Sequence, residues 1–404
     1  MVKKLWNKDF ILLLQGNTVS TIGDLMYSVA IGYWVYEKTG SNSLMGIMSA
    51  LSMFVIMLLS PFAGSIVDKL SRKGVLVGMD LMQGVVMLAV GWLAWQDTLE
   101  IPVVLIAAVL AALGSVFYNP AVSTLMLDII PRDDLVRGNS LFSGVNSLIN
   151  LAGNAFSGLL VALFGVPLIV IFNGLTNLYS AVSELFIRVP KTVQQGSPIS
   201  VKGTLQDMAR GVRAVISQKG LRIFVPCALI LNLLGAGPMA LILPFCMEKG
   251  FTVDMYGYLM AVWTTASLIC VVILGVVKLK PLQRFWLLAL GFVLSVLFFV
   301  SAYLSKNFLV LCILAFFASF ANCAGNTIFN ASLMLALPEE NRGVILGFIQ
   351  SASVGGSALS ALIYGFLGDF FPLSPIFAIG SLLSLGPMLY MCFHRETKQF
   401  ILDN

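Results

Sequence analysis

The charged residues of this chain are confined to short breaks, and the stretches between the breaks are apolar and long enough to cross a bilayer. A helical span needs ~20 consecutive, mostly apolar residues. Twelve stretches meet that length: 10–36, 44–67, 74–95, 101–127, 140–164 and 167–187, then 223–247, 256–277, 285–304, 308–335, 344–367 and 373–393. Of the 404 residues 58% are hydrophobic and 11% charged, against about 25% charged in a soluble domain. Too little polar surface exists to cover a globule, so lipid is the expected solvent. The formal charge of +5 does not argue for nucleic acid, because the cations have a topological explanation. The expected fold class is an all-α membrane protein with 12 transmembrane helices.

The cations lie on one side. Lys3, Lys4 and Lys8 precede the first stretch; Lys69, Arg72 and Lys73 follow the second; Arg132 and Arg137 follow the fourth. Arg188, Lys191, Lys202, Arg210, Arg213, Lys219 and Arg222 fill the central connector. Lys278, Lys280, Arg284, Arg342, Arg395 and Lys398 continue the series, and only Lys38, Lys249 and Lys306 fall opposite. Basic loops stay cytoplasmic, so both termini are expected there. The first stretch is too long, and lacks a small-residue cleavage site, to read as a removed signal peptide.

The chain also reads as two halves. Arg137-Gly138 opens the fifth stretch and Arg342-Gly343 the eleventh, each after a loop of proline and acids. The long polar stretch between them contains Gln194-Gln195-Gly196-Ser197-Pro198, followed by helical spacing at 205–216. The expected organisation is an N-terminal six-helix bundle at 1–189, a cytoplasmic linker with an amphipathic surface helix at 190–221, and a C-terminal six-helix bundle at 222–404. Parallel repeats of this kind are related by a pseudo-two-fold axis, with a substrate site at their junction.

Between the second and third stretches lies the hairpin Gly-Ser-Ile-Val-Asp-Lys-Leu-Ser-Arg-Lys at 64–73. Such a charged turn belongs at the water interface. Gly64 lets backbones approach, Asp68 can cap or pair at a helix end, and Lys69, Arg72 and Lys73 are donors for carboxylates. The pattern Gly-x-x-x-Asp-Lys-x-x-Arg-Lys resembles the signature loop of the major facilitator superfamily, with Ser71 where that family often has glycine. The whole length is similar to a 12-helix member. Tyr36-Glu37-Lys38-Thr39-Gly40-Ser41, Asn119-Pro120-Ala121 and 130–139 resemble the bacterial branch of the macrolide and enterobactin exporters. The resemblance implies that Asp128, closing the fourth stretch, pairs with Arg72. Export antiporters of the superfamily often carry Gly-Pro in the fifth helix; Gly153-Asn154 stands in its place here.

Little in the chain can do catalytic chemistry, and no enzyme activity is expected. His394 is the only histidine, and the six cysteines sit in apolar stretches without metal-ligand spacing. No phosphate-cradling Gly-Lys-Ser/Thr motif is present, which excludes ATP-driven pumping by this chain. No cofactor and no metal are expected.

The ionisable residues inside the stretches are few. Glu184 stands one helical turn before Arg188, a spacing that suits an ion pair. Asp80 lies near enough to the basic hairpin to be structural. Asp24 differs, since it falls near the middle of its stretch with no cation at comparable depth in any other. A charge there is expensive unless it is paired or faces water, so Asp24 either carries a proton, receives a cationic substrate, or is a hydrogen-bonded packing acid.

Tyr27 and Ser28 share its helical face. Asn146, Asn150 and Asn154 recur every four residues, as do Asn322, Asn326 and Asn330. Such stripes line a cavity or join helices. Tyr118, Asn119, Asn232, Trp263 and Gln350 complete the candidate cavity. Aromatic, amide and methionine walls with one acid suit a bulky, mostly apolar, neutral or cationic solute.

The resulting expectation is a monomeric exporter of amphiphilic small molecules in the bacterial inner membrane, working by alternating access and coupled to protons. Its partners would be substrate, protons and membrane lipid, and not nucleic acid. A siderophore exporter or a lysolipid flippase without proton coupling is the alternative within transport; a non-transporting receptor is the alternative outside it. The charge asymmetry generates a direct test. Lys4→Cys and Ser71→Cys should resist an impermeant thiol reagent in intact cells while Lys306→Cys reacts; the reverse labelling would invert the topology.

Overall fold

The structure is a computed structural model that describes residues 5–67, 69–188, 213, 219–277, 280–336 and 342–394. Asp68, the side chain of Asn154 and nearly all of the expected linker at 190–221 lie outside the described residues. Among the described residues every regular element is helical. In chain order they are α1 (Lys8–Thr39), α2 (Asn42–Val67), α3 (Arg72–Trp95), α4 (Ile101–Ile129), a 3-10 turn (Arg132–Asp134), α5 (Leu135–Leu185), α6 (Lys219–Ala240), α7 (Ile242–Glu248), α8 (Val253–Val276), α9 (Pro281–Leu304), α10 (Phe308–Ala336), α11 (Arg342–Phe370) and α12 (Leu373–Phe393).

Local chemistry sets several of these ends. Asn7 caps α1 by accepting the Phe10 amide at 2.9 Å, and Asp9 adds negative charge in the first turn. Gly40, at φ 60°, ends the helix with its amide on the Tyr36 carbonyl, a left-handed position that suits glycine. Ser71 caps α3 by accepting the Gly74 amide at 3.2 Å. That accounts for serine where the resemblance leads one to expect glycine. α5 holds two of the apolar stretches, divided only by Gly165 at φ 74° and ψ 163° with Pro167 just beyond. α6 and α7 form one stretch broken by a bend of 51°.

Among the described residues, nine helices are long and apolar enough to cross a membrane, or ten if the bent pair counts as one. α1 and the first arm of α5 are not among them. Both are diluted by polar residues, Gln15, Asn17, Thr18, Ser20 and Asp24 in α1, and Asn139, Ser143, Asn146 and Asn150 in α5. The outer surface is greasy throughout. Leu58, Trp92, Ile106, Leu163, Val272, Leu309 and Phe366 are all more than half exposed, which fits a lipid-facing wall rather than a soluble surface.

The chain divides into two compact units, Met1–Gly40 with Leu51–Val201, and Ser41–Ala50 with Lys202–Asn404. In the first, α1 packs along α5, and α3 packs on α5 and α4. Phe10, Leu13, Leu76, Leu125, Ile129 and Ile187 fill its core at one end. Glycines let α3 and residues 166–185 meet backbone to backbone: a Cβ at Gly91 would stand 2.9 Å from the Ile171 nitrogen.

In the second unit, α9 packs on α10 and α12, α6 on α11 and α12, and α8 on α10. Its core is Val225, Phe285, Leu288, Phe292, Ile345 and Met391. The first turn of α2 belongs to this unit. Asp369 accepts the amides of Asn42 at 2.6 Å and Ser43 at 3.2 Å, capping that helix from α11.

Helix contact at Gly91 sets the stability prediction. Gly91→Ala should lower the thermal-unfolding midpoint in detergent, costing about 1–3 kcal/mol by overpacking. Gly78→Ala, where a Cβ meets nothing within 4 Å, should leave it unchanged or raise it, since alanine favours helix by about 1 kcal/mol.

Candidate functional site

Three groups of polar side chains stand out, two in the first unit and one in the second. The first is the hairpin. Arg72 Nη1 lies 2.5 Å from Asp128 Oδ2, with the two side chains 14% and 16% exposed. It also reaches the Thr124 carbonyl at 3.4 Å. Lys73, the next residue, donates from Nζ to the Leu185 carbonyl at 2.6 Å. Consecutive cations therefore tie α3 to two different neighbours, α4 and the end of α5. The close approach expected at Gly64 is not made: a Cβ there would meet nothing within 4 Å, so this glycine is not required by packing.

The second group surrounds Asp24. Its carboxyl accepts from Asn177 Nδ2 at 3.3 Å, and Asn177 also donates to Asn173 Oδ1 at 2.8 Å. The residue is nevertheless exposed. Tyr27 is buried with its hydroxyl unpartnered; Ser28 is exposed and donates to the Leu25 carbonyl at 2.8 Å. Asn17 donates to Asn146 Oδ1 at 2.9 Å, which joins α1 to the first arm of α5. Asn150 turns back on its own helix, donating to the Asn146 carbonyl at 2.8 Å.

Tyr118 is not beside these cavity candidates. It is buried, and its hydroxyl donates to Glu184 Oε1 at 3.0 Å. Asn119, the next residue, is exposed on α4. Glu184 does not pair with Arg188 either. α5 ends at Leu185 with Phe186 as its cap, so the helical turn that would bring the two together is absent. The Arg188 amide instead donates to Asp9 Oδ1 at 2.9 Å.

The third group lines a cavity of about 310 Å³ inside the second unit. Asn232 on α6, Trp263 on α8, and Asn322 and Asn326 one turn apart on α10 all reach it. Asn326 Nδ2 donates to Asn322 Oδ1 at 2.9 Å. The apolar wall is aromatic: Trp263 lies against Phe299 with ring centroids 5.0 Å apart, and Phe299 stacks on Tyr303 at 5.9 Å. Phe292, Phe329, Met239 and Met388 complete it, with Ser295 and Ser384 as small polar points. Among the described residues no Lys, Arg, Asp or Glu lines the cavity. Gln350 and Asn330 are exposed and not part of it.

Sequence reasoning passed over Asn173 and Asn177, although they share the four-residue spacing of the two stripes it did single out. It also passed over Phe292, Ser295 and Phe299, whose spacing on α9 marks one helix face. Lys249 donates to the Tyr303 carbonyl at 2.7 Å and to that of Ser305. Burial holds its ammonium below the usual lysine range.

The Major Facilitator Superfamily profile matches residues 13–277 and, overlapping, 225–399. The chain is similar to macrolide efflux protein A of Streptococcus pyogenes, 23% identical over 219 residues that cover 54% of this chain and 53% of that protein. It is similar also to the multidrug efflux pump Tap of Mycobacterium bovis, 26% identical over 225 residues and 52% of each. It thus spans about half the length of the curated relatives it matches. Among solved structures, the nucleoside transporter NupG aligns with a TM-score of 0.73 at 11% identity, covering 94% of this chain and 97% of that one. That likeness is one of fold.

The Arg72–Asp128 pair gives a measurable coupling. In a double-mutant cycle of Arg72→Ala and Asp128→Asn, the two changes should be non-additive by about 1–3 kcal/mol in unfolding free energy. Additive losses would mean that the contact contributes nothing.

Proposed function

The chain belongs to the major facilitator superfamily, and on that premise we propose that it is a proton-coupled secondary transporter exporting bulky amphiphilic small molecules. The observation that carries this reading is the cavity of about 310 Å³ with aromatic, amide and methionine walls and no fixed charge. A pocket of that kind rewards apolar area and orients a solute through a few amides. It offers a phosphorylated or strongly anionic solute no cation to replace its hydration. The names of the efflux relatives support the direction of transport.

In this reading the fold has twelve spans: the nine apolar helices, the bent pair α6–α7, and the two polar-diluted segments α1 and the first arm of α5. Helix pairings support an internal repeat. α1 meets α5 as α6 meets α11, and α3 meets α4 as α9 meets α10. That is what two six-helix bundles with a pseudo-two-fold relation require. The charge asymmetry supports a bacterial inner-membrane location with both termini cytoplasmic, and the working unit in this reading is a monomer. The hairpin cations Arg72 and Lys73, with Asp128 and the neighbouring Asp68, stabilise one of two alternating conformers.

Asp24 is the coupling residue in this scheme. It is an acid inside a membrane span with one amide partner and access to solvent, which lets it load and release a proton or hold a cationic substrate. The test uses proteoliposomes with an imposed pH gradient and a cationic dye as solute. Asp24→Asn should abolish gradient-driven movement by at least tenfold and leave dye binding measurable. Export at the wild-type rate with an unchanged pH profile would remove Asp24 from the mechanism.

A further inference from the structure

The first unit buries two more acids that the scheme above does not use. Glu184 is fully buried and Asp80 is 2% exposed, on α5 and α3 respectively. Among the described residues neither has an ion-pair partner; the pairs formed are Lys38–Asp97 and Arg72–Asp128. Glu184 receives the Tyr118 hydroxyl on Oε1, while its Oε2 and Asp80 Oδ2 have no hydrogen-bond donor. Glu184 feels the charge of Asp80, and Asp80 that of Asp24. If both were ionised, two like charges would sit in a dry interior with oxygens unsolvated, an arrangement that proteins relieve by protonating one of them.

A separate observation points to a proton. Ser180, one turn before Glu184, is fully buried. It lies beside both Asp80 and Tyr118, and Tyr118 in turn donates to Glu184. Two hydroxyls thus stand between the two acids, each of which keeps one buried oxygen without a donor, an arrangement that can carry a proton from one carboxyl to the other. Metal chemistry does not fit as well: among the described residues no three His, Cys, Asp or Glu side chains are arranged to hold an ion.

The site is continuous with Asp24. Asn173, Asn177, Ser180 and Glu184 recur at spacings of four, three and four, the period of one helix face. All are 1% exposed or less. Asn177 bonds Asp24 at one end of that face, and Glu184 stands at the other. α1 lies close along it because of its glycines: a Cβ at Gly16 would stand 3.0 Å from Ser180 Oγ, and one at Gly23 would overlap Thr176.

The charged and titratable groups that reach the pair are Asp24 on α1 and Tyr118 on α4, and Lys73 on α3 comes as near as the carbonyl of the residue after Glu184. Lys73 is bound to the Leu185 carbonyl and Arg72 to Asp128. Beyond α5, the Arg188 side chain is exposed. None of these neutralises either acid.

We propose that Asp80 and Glu184 share a proton, forming a second proton-binding site in series with Asp24, walled by the hydroxyls of Ser180 and Tyr118. Loading breaks an O–H bond of hydronium, or of protonated Asp24, and forms one on a carboxylate oxygen of the pair; release reverses it, and no electrons are exchanged. The inference rests on the proton-coupled reading of Asp24, and its test separates the two.

The test is infrared spectroscopy of the purified full chain in detergent at neutral pH, in H₂O and D₂O. Wild type should show a protonated-carboxyl C=O band with a deuterium shift. Glu184→Gln and Asp80→Asn should each remove it, and Asp24→Asn should leave it. Tyr118→Phe deletes one oxygen and should keep the fold while shifting the band, an effect that a merely structural role would not produce. A wild-type spectrum without the band, a band indifferent to both acid variants, or one unmoved in Tyr118→Phe would overturn the second site. If Asp24→Asn transports normally while Glu184→Gln is uncoupled from the gradient, the reading of Asp24 fails and the second site stands.

Discussion

The structure depends on one constraint, the high cost of holding charge away from water in a chain that lipid surrounds. A lone ionised group in a low-dielectric interior loses far more hydration than a neutral contact returns. The chain obeys this nearly everywhere. Arg72 is matched by Asp128, Lys73 and Lys249 spend their ammonium protons on backbone carbonyls, and Asp369 is matched by a helix start. Among the described residues the departures are Asp24, Asp80 and Glu184, all in the same unit and all without an ion-pair partner. Three departures on neighbouring helices, joined by one buried polar face of α5, are where a function should be sought.

The helical segments were legible because the physics behind them is local. Charged breaks and apolar length alone mark where spans begin and end, and Asn7, Gly40 and Ser71 act within three or four residues of themselves. The Arg72–Asp128 pair was accessible only through resemblance, since nothing in the local sequence joins residues 56 apart. Four of the cavity residues, Asn232, Trp263, Asn322 and Asn326, were picked out because amides and indoles are costly on a lipid face, and their shared cavity follows from that cost.

What was not legible depended on where helices stop and on which neighbour a side chain meets. Glu184 and Arg188 have the spacing of an ion pair, but that spacing works only inside a continuous helix, and α5 ends between them. Tyr118 looked like a cavity aromatic beside the polar Asn119; its hydroxyl donates to Glu184, across the unit. Gly64 looked like a packing glycine from its motif alone. The division of α5 at Gly165, by contrast, falls between the stretches 140–164 and 167–187, where Phe-Gly and Pro167 mark it without a polar loop.

The hairpin and the acid pair share their supporting helices, and this ties the most recognisable motif to the least expected site. Lys73 holds the carbonyl of Leu185, the residue that follows Glu184, while Arg72 holds α4 through Asp128, on the helix that presents Tyr118. The two consecutive cations therefore brace both helices that supply hydrogen-bond partners to the buried carboxyls. On the proposal of a shared proton, a displacement of the hairpin would move Glu184 and Tyr118 relative to Asp80, which α3 carries with the hairpin itself. A bridging proton is sensitive to a few tenths of an ångström in donor–acceptor distance, so the proton affinity of such a pair and the position of the hairpin would be linked. Linkage is reciprocal: whatever conformer the hairpin favours sets how tightly the proton is held, and protonation of the pair biases the hairpin by the same free energy.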